Sequence, residues 1–202
     1  MNDFLENFFQ ELTGKKISSK QKILLEAAFL EFFDFQEDKI EPPSSHVAML
    51  SSACGMKLPQ VLSSTINTFG KYHFCFSDAA EFILHNYYTT KKYFPGFGHS
   101  KYKKYDPRVK RLLSKANKLN YTNQYLISSL EFSKKNKILL NFSGFIVCVL
   151  LDCGCNIYNI DLFPIVCRMV GLTKIYEKVN VKKIKFASAY EIATKFNSTR
   201  RI

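Results

Sequence analysis

Apolar positions along this chain recur every three or four residues between proline, glycine and small polar punctuation, a rhythm of amphipathic helices rather than of alternating strands. Ser18 with Gln21 forms a capping-box start, and Ile23, Leu24, Ala27, Ala28 and Phe32 supply an apolar face running to about Phe35. Pro42-Pro43 opens a second helix that Gly55 closes. Pro59 opens a third, with Val61, Leu62 and Ile66 inward and Gly70 after its end. Ser77 is expected to cap a helix holding Ala80, Phe82, Ile83 and Leu84. Another helix runs from Pro107 through Val109, Leu112, Leu113 and Ala116 behind an Asp106 cap, and a further one lies around Tyr125 to Phe132. Leu139 to Leu151 is the most apolar run, a core helix or, on pattern alone, a buried strand that ends at Gly154. Beyond it, Ile165, Arg168 and Met169 mark a helix with Pro164 near its start, while the stretch from Asn180 alternates lysine with apolar residues and is ambiguous, with a helix near Tyr190 as one reading. No repeat or low-complexity tract interrupts this order, so the expected fold class is all-α.

Size and charge add bounds. A chain of 202 residues holds one substantial core, or a larger and a smaller domain sharing a cleft. Lys+Arg 29 against Asp+Glu 17 leaves a net charge of +12, which favours polyanionic partners such as nucleic acid, an anionic membrane or a phosphate-rich cofactor. The cations are scattered, with no zinc-ligand spacing, no RNA-binding aromatic motif and no clear recognition helix, which argues against nucleic acid. Asn141 and Ser143 interrupt the Leu139 to Leu151 run, which falls short of the roughly 20 residues of a bilayer span, so no membrane partner is expected. Asp3 and Glu6 break any signal-peptide pattern at the amino terminus. The six cysteines (54, 75, 148, 153, 155, 167) lie mostly in apolar stretches, and Cys153-Gly154-Cys155 is too tight for the usual zinc or dithiol motifs; they read as small core hydrophobes in a reducing, cytoplasmic setting, with no metal.

One segment carries chemistry in outline. From Pro95 through Gly96, Phe97, Gly98 and His99 to Lys103 and Asp106-Pro107-Arg108, a glycine-flexed loop sets a histidine ahead of a basic stretch and a helix start. Glycines admit close backbone approach, and the pattern concentrates donors on one anionic ligand. Read without further context, the run from Lys101 to Arg111 is either such a device or a solvated helix face.

The joint pattern Gly96-Phe97-Gly98-His99 followed by Asp106-Pro107-Arg108 resembles the signature of the citrate synthase family, which includes citryl-CoA lyases. The resemblance covers most of the chain. Leu12-Thr13-Gly14 looks like the family's early loop, Pro42-Pro43-Ser44-Ser45-His46 like a helix opening of its smaller members, and Gly70-Lys71-Tyr72-His73 like the site of its first catalytic histidine. Asn141-Phe142-Ser143-Gly144 resembles the start of the helix that normally begins Asn-Val-Asp-Gly, and Arg168-Met169-Val170-Gly171-Leu172 the Arg-x-x-Gly-Leu near the family's end.

The resemblance implies a Claisen-type condensation, in which a carboxylate takes a proton from the acetyl-CoA methyl, one histidine stabilises the enol and another protonates the ketone of oxaloacetate. Carried over, His73 would stabilise the enol, His99 would donate the proton, and Arg108 and Arg168 would hold carboxylates. Lys103 would meet CoA phosphate, with Pro95, Gly96, Phe97 and Gly98 near the adenine. Three positions depart from the family pattern. Ser143 stands where the base should be, and loss of a general base typically removes 10²–10⁴ of rate, about the scale expected here or more. The Asp-His-Gly expected before the proline pair is missing, because Phe35 to Glu41 contains no histidine. Phe74 replaces the glycine after His73 and would crowd the thioester. Asp152 and Asp161 are placed too far along to substitute for the base. His73 also reads as a structural histidine between aromatic neighbours, and Arg168 as a buried paired cation.

The resulting expectation is a citrate synthase-like acyl-CoA enzyme forming or cleaving a C–C bond between an acetyl-CoA-type thioester and a 2-oxo acid, with chemistry impaired or altered by Ser143. The alternative is a catalytically inactive relative that binds CoA or a carboxylate as a regulatory or interaction protein. The resemblance also implies a homodimer, a large helical domain from residues 1–74 and 136–202, and a small helical domain from 75–135 carrying the signature, with ligands in the cleft.

Overall fold

The computed structural model describes residues 4–33, 43–87, 93–99, 102–186, 188 and 191. Among them are nine helices and no strand: α1 (Phe4–Thr13), α2 (Ser19–Phe33), α3 (Pro43–Ala53), α4 (Leu58–Ile66), α5 (Phe76–Leu84), α6 (Pro107–Lys118), α7 (Gln124–Asn136), α8 (Phe142–Asp152) and α9 (Leu162–Val181). The all-α expectation holds. The helix expected near Tyr190 lies outside the described residues.

Local sequence accounts for most of the boundaries. At the start of α2, Ser18 N–H donates to Gln21 Oε1 (2.7 Å) and Gln21 N–H to Ser18 Oγ (3.3 Å), the reciprocal capping box. Asp106 caps α6 through Arg108 N–H, Asn123 caps α7 through Leu126 N–H, and Asn141 caps α8 through Gly144 N–H. One expectation needs correction, and one helix lies outside those the sequence pattern predicts. That helix is α1; its Leu5 and Phe9, one turn apart, are buried, and the Phe9 ring lies 5.7 Å from Phe163. Ser77 does not cap α5, because the helix starts at Phe76 and the Asp161 carboxylate, distant in sequence, accepts from Phe76 N–H (2.9 Å) and Ser77 N–H (3.3 Å). The Leu139 to Leu151 run, open on pattern alone between core helix and buried strand, is a core helix from Phe142 onward.

The chain's contacts group it into two units, residues 1–31 with 74–163 and residues 32–73 with 164–202. This differs from the expected partition in two places: residues 1–31 group with 74–163 rather than with the carboxy-terminal segment, and so does α8, which packs against α5 and α7. In the first unit α8 is the axis: Gly144 to Leu151 is buried at every position, as befits a helix apolar all round. Around it, the rings of Phe82, Tyr87, Phe94, Phe97 and Phe132 form one cluster, with Tyr87 stacked on Phe132 at 4.7 Å. In the second unit Ala48 of α3, Val61 of α4 and Leu172 of α9 make the core, beside Met49 and Val179. Cys148, Cys153, Cys155 and Cys167 are buried thiols, as expected, whereas Cys54 is exposed; burial pushes Cys148 and Cys155 up to about 12. No described helix is long and apolar enough to cross a membrane.

Residues 96–98 are laced to the segment before α8. Gly98 N–H donates to Leu139 C=O (2.8 Å), Asn141 N–H to Gly96 C=O (3.1 Å) and Asn141 Nδ2 to Gly98 C=O (2.9 Å). This close approach needs two missing side chains. A Cβ on Gly144 would stand 2.2 Å from the Gly96 carbonyl oxygen, and one on Gly96, where φ is +83°, would stand 3.0 Å from Gly144 Cα. Gly144→Ala is expected to destabilise the protein by about 1–3 kcal/mol in urea unfolding, because loop or helix must move apart; a change inside about 0.5 kcal/mol, the scatter of ordinary surface substitutions, would show the contact to be slack.

Candidate functional site

The first unit brings His99, Asp106, Arg108, Asn141 and Ser143 to the junction of the laced loop with the starts of α6 and α8. Asp106 organises this corner. It is 1% exposed. Its Oδ1 accepts from Arg108 N–H (3.0 Å) and Arg108 Nε (3.0 Å), and its Oδ2 from Arg108 Nη2 (2.7 Å) and from Phe142 N–H (3.3 Å). One carboxylate thus caps α6, pairs with the guanidinium two residues on, and ties both to α8. Burial works to raise the Asp106 carboxyl, but the hydrogen bonds and charge of Arg108, followed by the charge of His99, outweigh it and hold the group below the usual carboxylate range. Arg108 in turn lies over the Phe142 ring at 4.6 Å and remains partly exposed. Asp106 takes one edge of its guanidinium, and the remaining N–H groups are available to an anion.

His99 Nδ1 accepts from Tyr102 N–H at 3.3 Å, and its ring is tilted against that of Tyr102 at 4.5 Å. With Nδ1 an acceptor, the proton of the neutral ring resides on Nε2. Ser143 is a half-buried residue in the first turn of α8, and its Oγ makes no hydrogen bond among the described residues. Of the loop residues singled out from sequence, Phe97 turns its ring into the aromatic cluster, and Gly96 is buried against α8, so the approach these glycines permit is first of all to the protein's own helix. Lys103 is exposed on a bend, and Pro95 is half-buried. Asp152 and Asp161 are committed elsewhere. The first accepts from Gln21 Nε2 (2.7 Å) and Tyr121 Oη (2.8 Å), and the second caps α5.

The second unit gathers His73, Ser44, Ser45 and Arg168. His73 sits at the end of a tight turn in which Gly70 and His73 exchange both backbone hydrogen bonds (2.7 and 2.8 Å). Arg168 is 5% exposed and donates to the Ser44 hydroxyl from Nε (3.4 Å) and Nη2 (3.3 Å), to Ser45 Oγ from Nη2 (2.7 Å) and to Phe32 C=O from Nη1 (3.5 Å). The Ser44 hydroxyl that accepts from the guanidinium is also hydrogen-bonded to His73 Nε2, 3.1 Å away, and so links the ring to Arg168. Burial first, and the Arg168 charge second, lower His73 to about 4. The next residue, Phe74, holds φ at +64°, a left-handed conformation unusual for a bulky side chain, with its ring 5.8 Å from that of Phe76.

Sequence reasoning named His73, His99, Arg108, Arg168 and Ser143 but not the groups that position them. The sequence marks Ser44 and Ser45 only as part of a helix opening, although small hydroxyl residues directly after a proline pair are the signal that points to them. Asp106 was expected as a cap and is also the partner of Arg108.

The His73 ring should stay neutral from pH 8 to about pH 5 and titrate near 4 in its NMR signals, against 6.5 for an unperturbed histidine. Since the unfolded chain binds this proton near 6.5 and the folded chain only near 4, the contribution to stability is present in full above about pH 6.5 and is lost as pH falls toward 4. His73→Gln should flatten that limb of the stability curve, and a ring that titrates above about 6 would contradict the buried geometry.

No family model matches this sequence, and no curated protein does. Solved structures do match. The citryl-CoA lyase of Hydrogenobacter thermophilus superposes with a TM-score of 0.75 at 24% identity, over 88% of this chain and 76% of that one. An ATP citrate lyase of Methanosaeta concilii, in complex with (3S)-citryl-CoA, gives 0.70 at 19% identity over 86% of this chain. The citrate synthase of Thermoplasma acidophilum, in a ternary complex with carboxymethyl coenzyme A and oxaloacetate, gives 0.57 at 17% identity over 87% of this chain. This chain spans 33% of the ATP citrate lyase chain and 52% of the citrate synthase chain. The helical architecture of the protein is therefore a citrate synthase-like fold.

Proposed function

We propose that this protein is a citrate synthase-like acyl-CoA enzyme, binding a CoA thioester and a small carboxylate, whose C–C bond chemistry is impaired or altered because Ser143 stands where the carbon base is expected. The observation that carries this reading is the corner formed by the docked loop and the start of α8. It brings together the His99 ring, the Arg108 guanidinium and a hydroxyl at Ser143 in place of a carboxylate. An unactivated hydroxyl cannot take a proton from a thioester α-carbon at neutral pH. Three acids considered in its place are engaged: Asp106 with Arg108, Asp152 with Gln21 and Tyr121, and Asp161 with the first amides of α5. The ligands of the structural neighbours, citryl-CoA in one and carboxymethyl coenzyme A with oxaloacetate in another, support this ligand class.

In this reading His73 and Arg168 serve as enol stabiliser and carboxylate clamp, and the neutral imidazole that His73 maintains is the form such a stabiliser requires. Lys103 and the backbone from Pro95 to Gly98 take the nucleotide end of CoA. The working assembly is a homodimer.

A second reading, a catalytically inactive binding protein, is favoured by the Asp106–Arg108 pair, which lets the guanidinium keep its place with no substrate carboxylate present. Calorimetric titration with CoA, acetyl-CoA, oxaloacetate and citrate should show binding of a CoA species; absence of binding by all four would overturn both readings. Acyl-CoA turnover by the native chain, followed by mass spectrometry of the products, would reject the inactive reading. Ser143→Asp should raise citrate formation from acetyl-CoA and oxaloacetate by roughly 10²–10⁴, the usual worth of a placed general base, and no gain in a variant that still binds CoA would remove residue 143 from the chemistry.

A further inference from the structure

Helix α6 gathers cations that look scattered in the sequence. Burial of Val109, Leu112 and Ala116 fixes its rotation, and Lys110, Arg111, Ser114, Lys115 and Lys118 are all exposed. At 3.6 residues per turn these five positions fall within an arc of about 140° and extend about 12 Å along the axis. The helix, PRVKRLLSKANK, contains no acid. Arg111 pairs with Glu31 (Nε to Oε1, 2.7 Å), while Lys110, Lys115 and Lys118 form no ion pair among the described residues. At the carboxy-terminal end of the helix, Lys20 Nζ donates to Asn120 C=O and adds a further cation. Ahead of the helix, Tyr105 is 55% exposed and its ring lies under Lys110 Nζ at 5.2 Å from the centroid.

Such a face opposes helix stability, since Arg111 with Lys115 and Lys115 with Lys118 are like-charge neighbours at helical spacing, and only the last turn is offset by the helix dipole. A polyanion laid along it would reverse the sign of that term. Three lysines on flexible stems suit phosphates and carry no base-reading geometry. An exposed tyrosine beside them offers a surface on which an unpaired base stacks. A membrane surface fits less well, because the outward positions of α6 carry no large apolar side chain and leave Tyr105, ahead of the helix, as the ring beside them.

We propose that the outward face of α6, together with Tyr105, binds a single-stranded nucleic acid through its phosphates and one stacked base, independently of any acyl-CoA chemistry. The test is fluorescence anisotropy of labelled 20-nucleotide oligo-dT and oligo-U with the full chain, between 50 and 200 mM salt. Neutralisation of four phosphates predicts a log–log salt slope of about −3. The triple variant Lys110→Ala, Lys115→Ala, Lys118→Ala should weaken binding at low salt by about tenfold or more and reduce the slope by about 2. A control triple, Lys182→Ala, Lys183→Ala, Lys185→Ala, removes equal charge from exposed positions after α9 and should leave both quantities nearly unchanged. Tyr105→Ala should cost about fivefold or more at an unchanged slope, with Tyr105→Phe restoring affinity. Circular dichroism checks that each variant keeps its helices. No binding at 50 mM salt, equal losses in the two triples, or binding to phosphatidylserine vesicles without binding to either strand would each overturn the proposal.

Discussion

The approach of one backbone to another at Gly96 and Gly144 is the constraint on which the first unit's candidate site depends. A carbonyl oxygen lies where any side chain at 144 would have to be, so the loop can be laced to the segment before α8 only because both positions lack a Cβ. Asn141 exploits the contact from both sides: its Oδ1 caps the helix and its Nδ2 holds the loop at Gly98. His99 follows immediately and Ser143 sits in the first turn, so one steric fact fixes two candidate reactive positions relative to each other. Behind them α8 is buried all round and held by α5 and α7, which gives the corner a rigid wall.

Charge inside the fold is handled by pairing at Asp106 and by hydroxyls at Arg168. A buried carboxylate without partners would be raised toward neutrality; Asp106 instead collects two backbone amides and a two-pronged guanidinium contact and stays ionised. In the second unit Arg168 reaches Ser44, Ser45 and the Phe32 carbonyl, and the same Ser44 hydroxyl is hydrogen-bonded to His73 Nε2. Burial first, and the neighbouring cation second, keep that imidazole neutral. Phe74 shows a related tension in the backbone. Its left-handed φ is a conformation that glycine adopts freely and that costs an L residue roughly 1–2 kcal/mol, and phenylalanine occupies it here with a ring contact to Phe76.

Much of this was legible in the chain itself. Capping residues with local partners place α2 and α6 well, because Ser18 and Asp106 act on amides within a few residues, whereas the Asn141 cap of α8 reads in the sequence only as an interruption of an apolar run. Proline and glycine placed α3 and α4 for the same reason. Where the partner is remote, reading failed: the start of α5 is set by Asp161, and α1 is held by a contact between Phe9 and Phe163 that no local pattern announces. The grouping of α8 with α5 and α7 likewise follows from packing, not from order along the chain.

The sequence by itself determined the helical class, the loop-histidine-arginine pattern and the serine at 143, since these depend on residue type and on spacing of a few positions. Only the tertiary structure decided that Gly96 faces Gly144, that Asp106 ties Arg108 to Phe142 of α8, that Ser44 stands between Arg168 and His73, and that four cations of α6 share one face. Each of these depends on distances between segments far apart in sequence, or on the rotation of a helix against its core, and neither is encoded in any short stretch of residues.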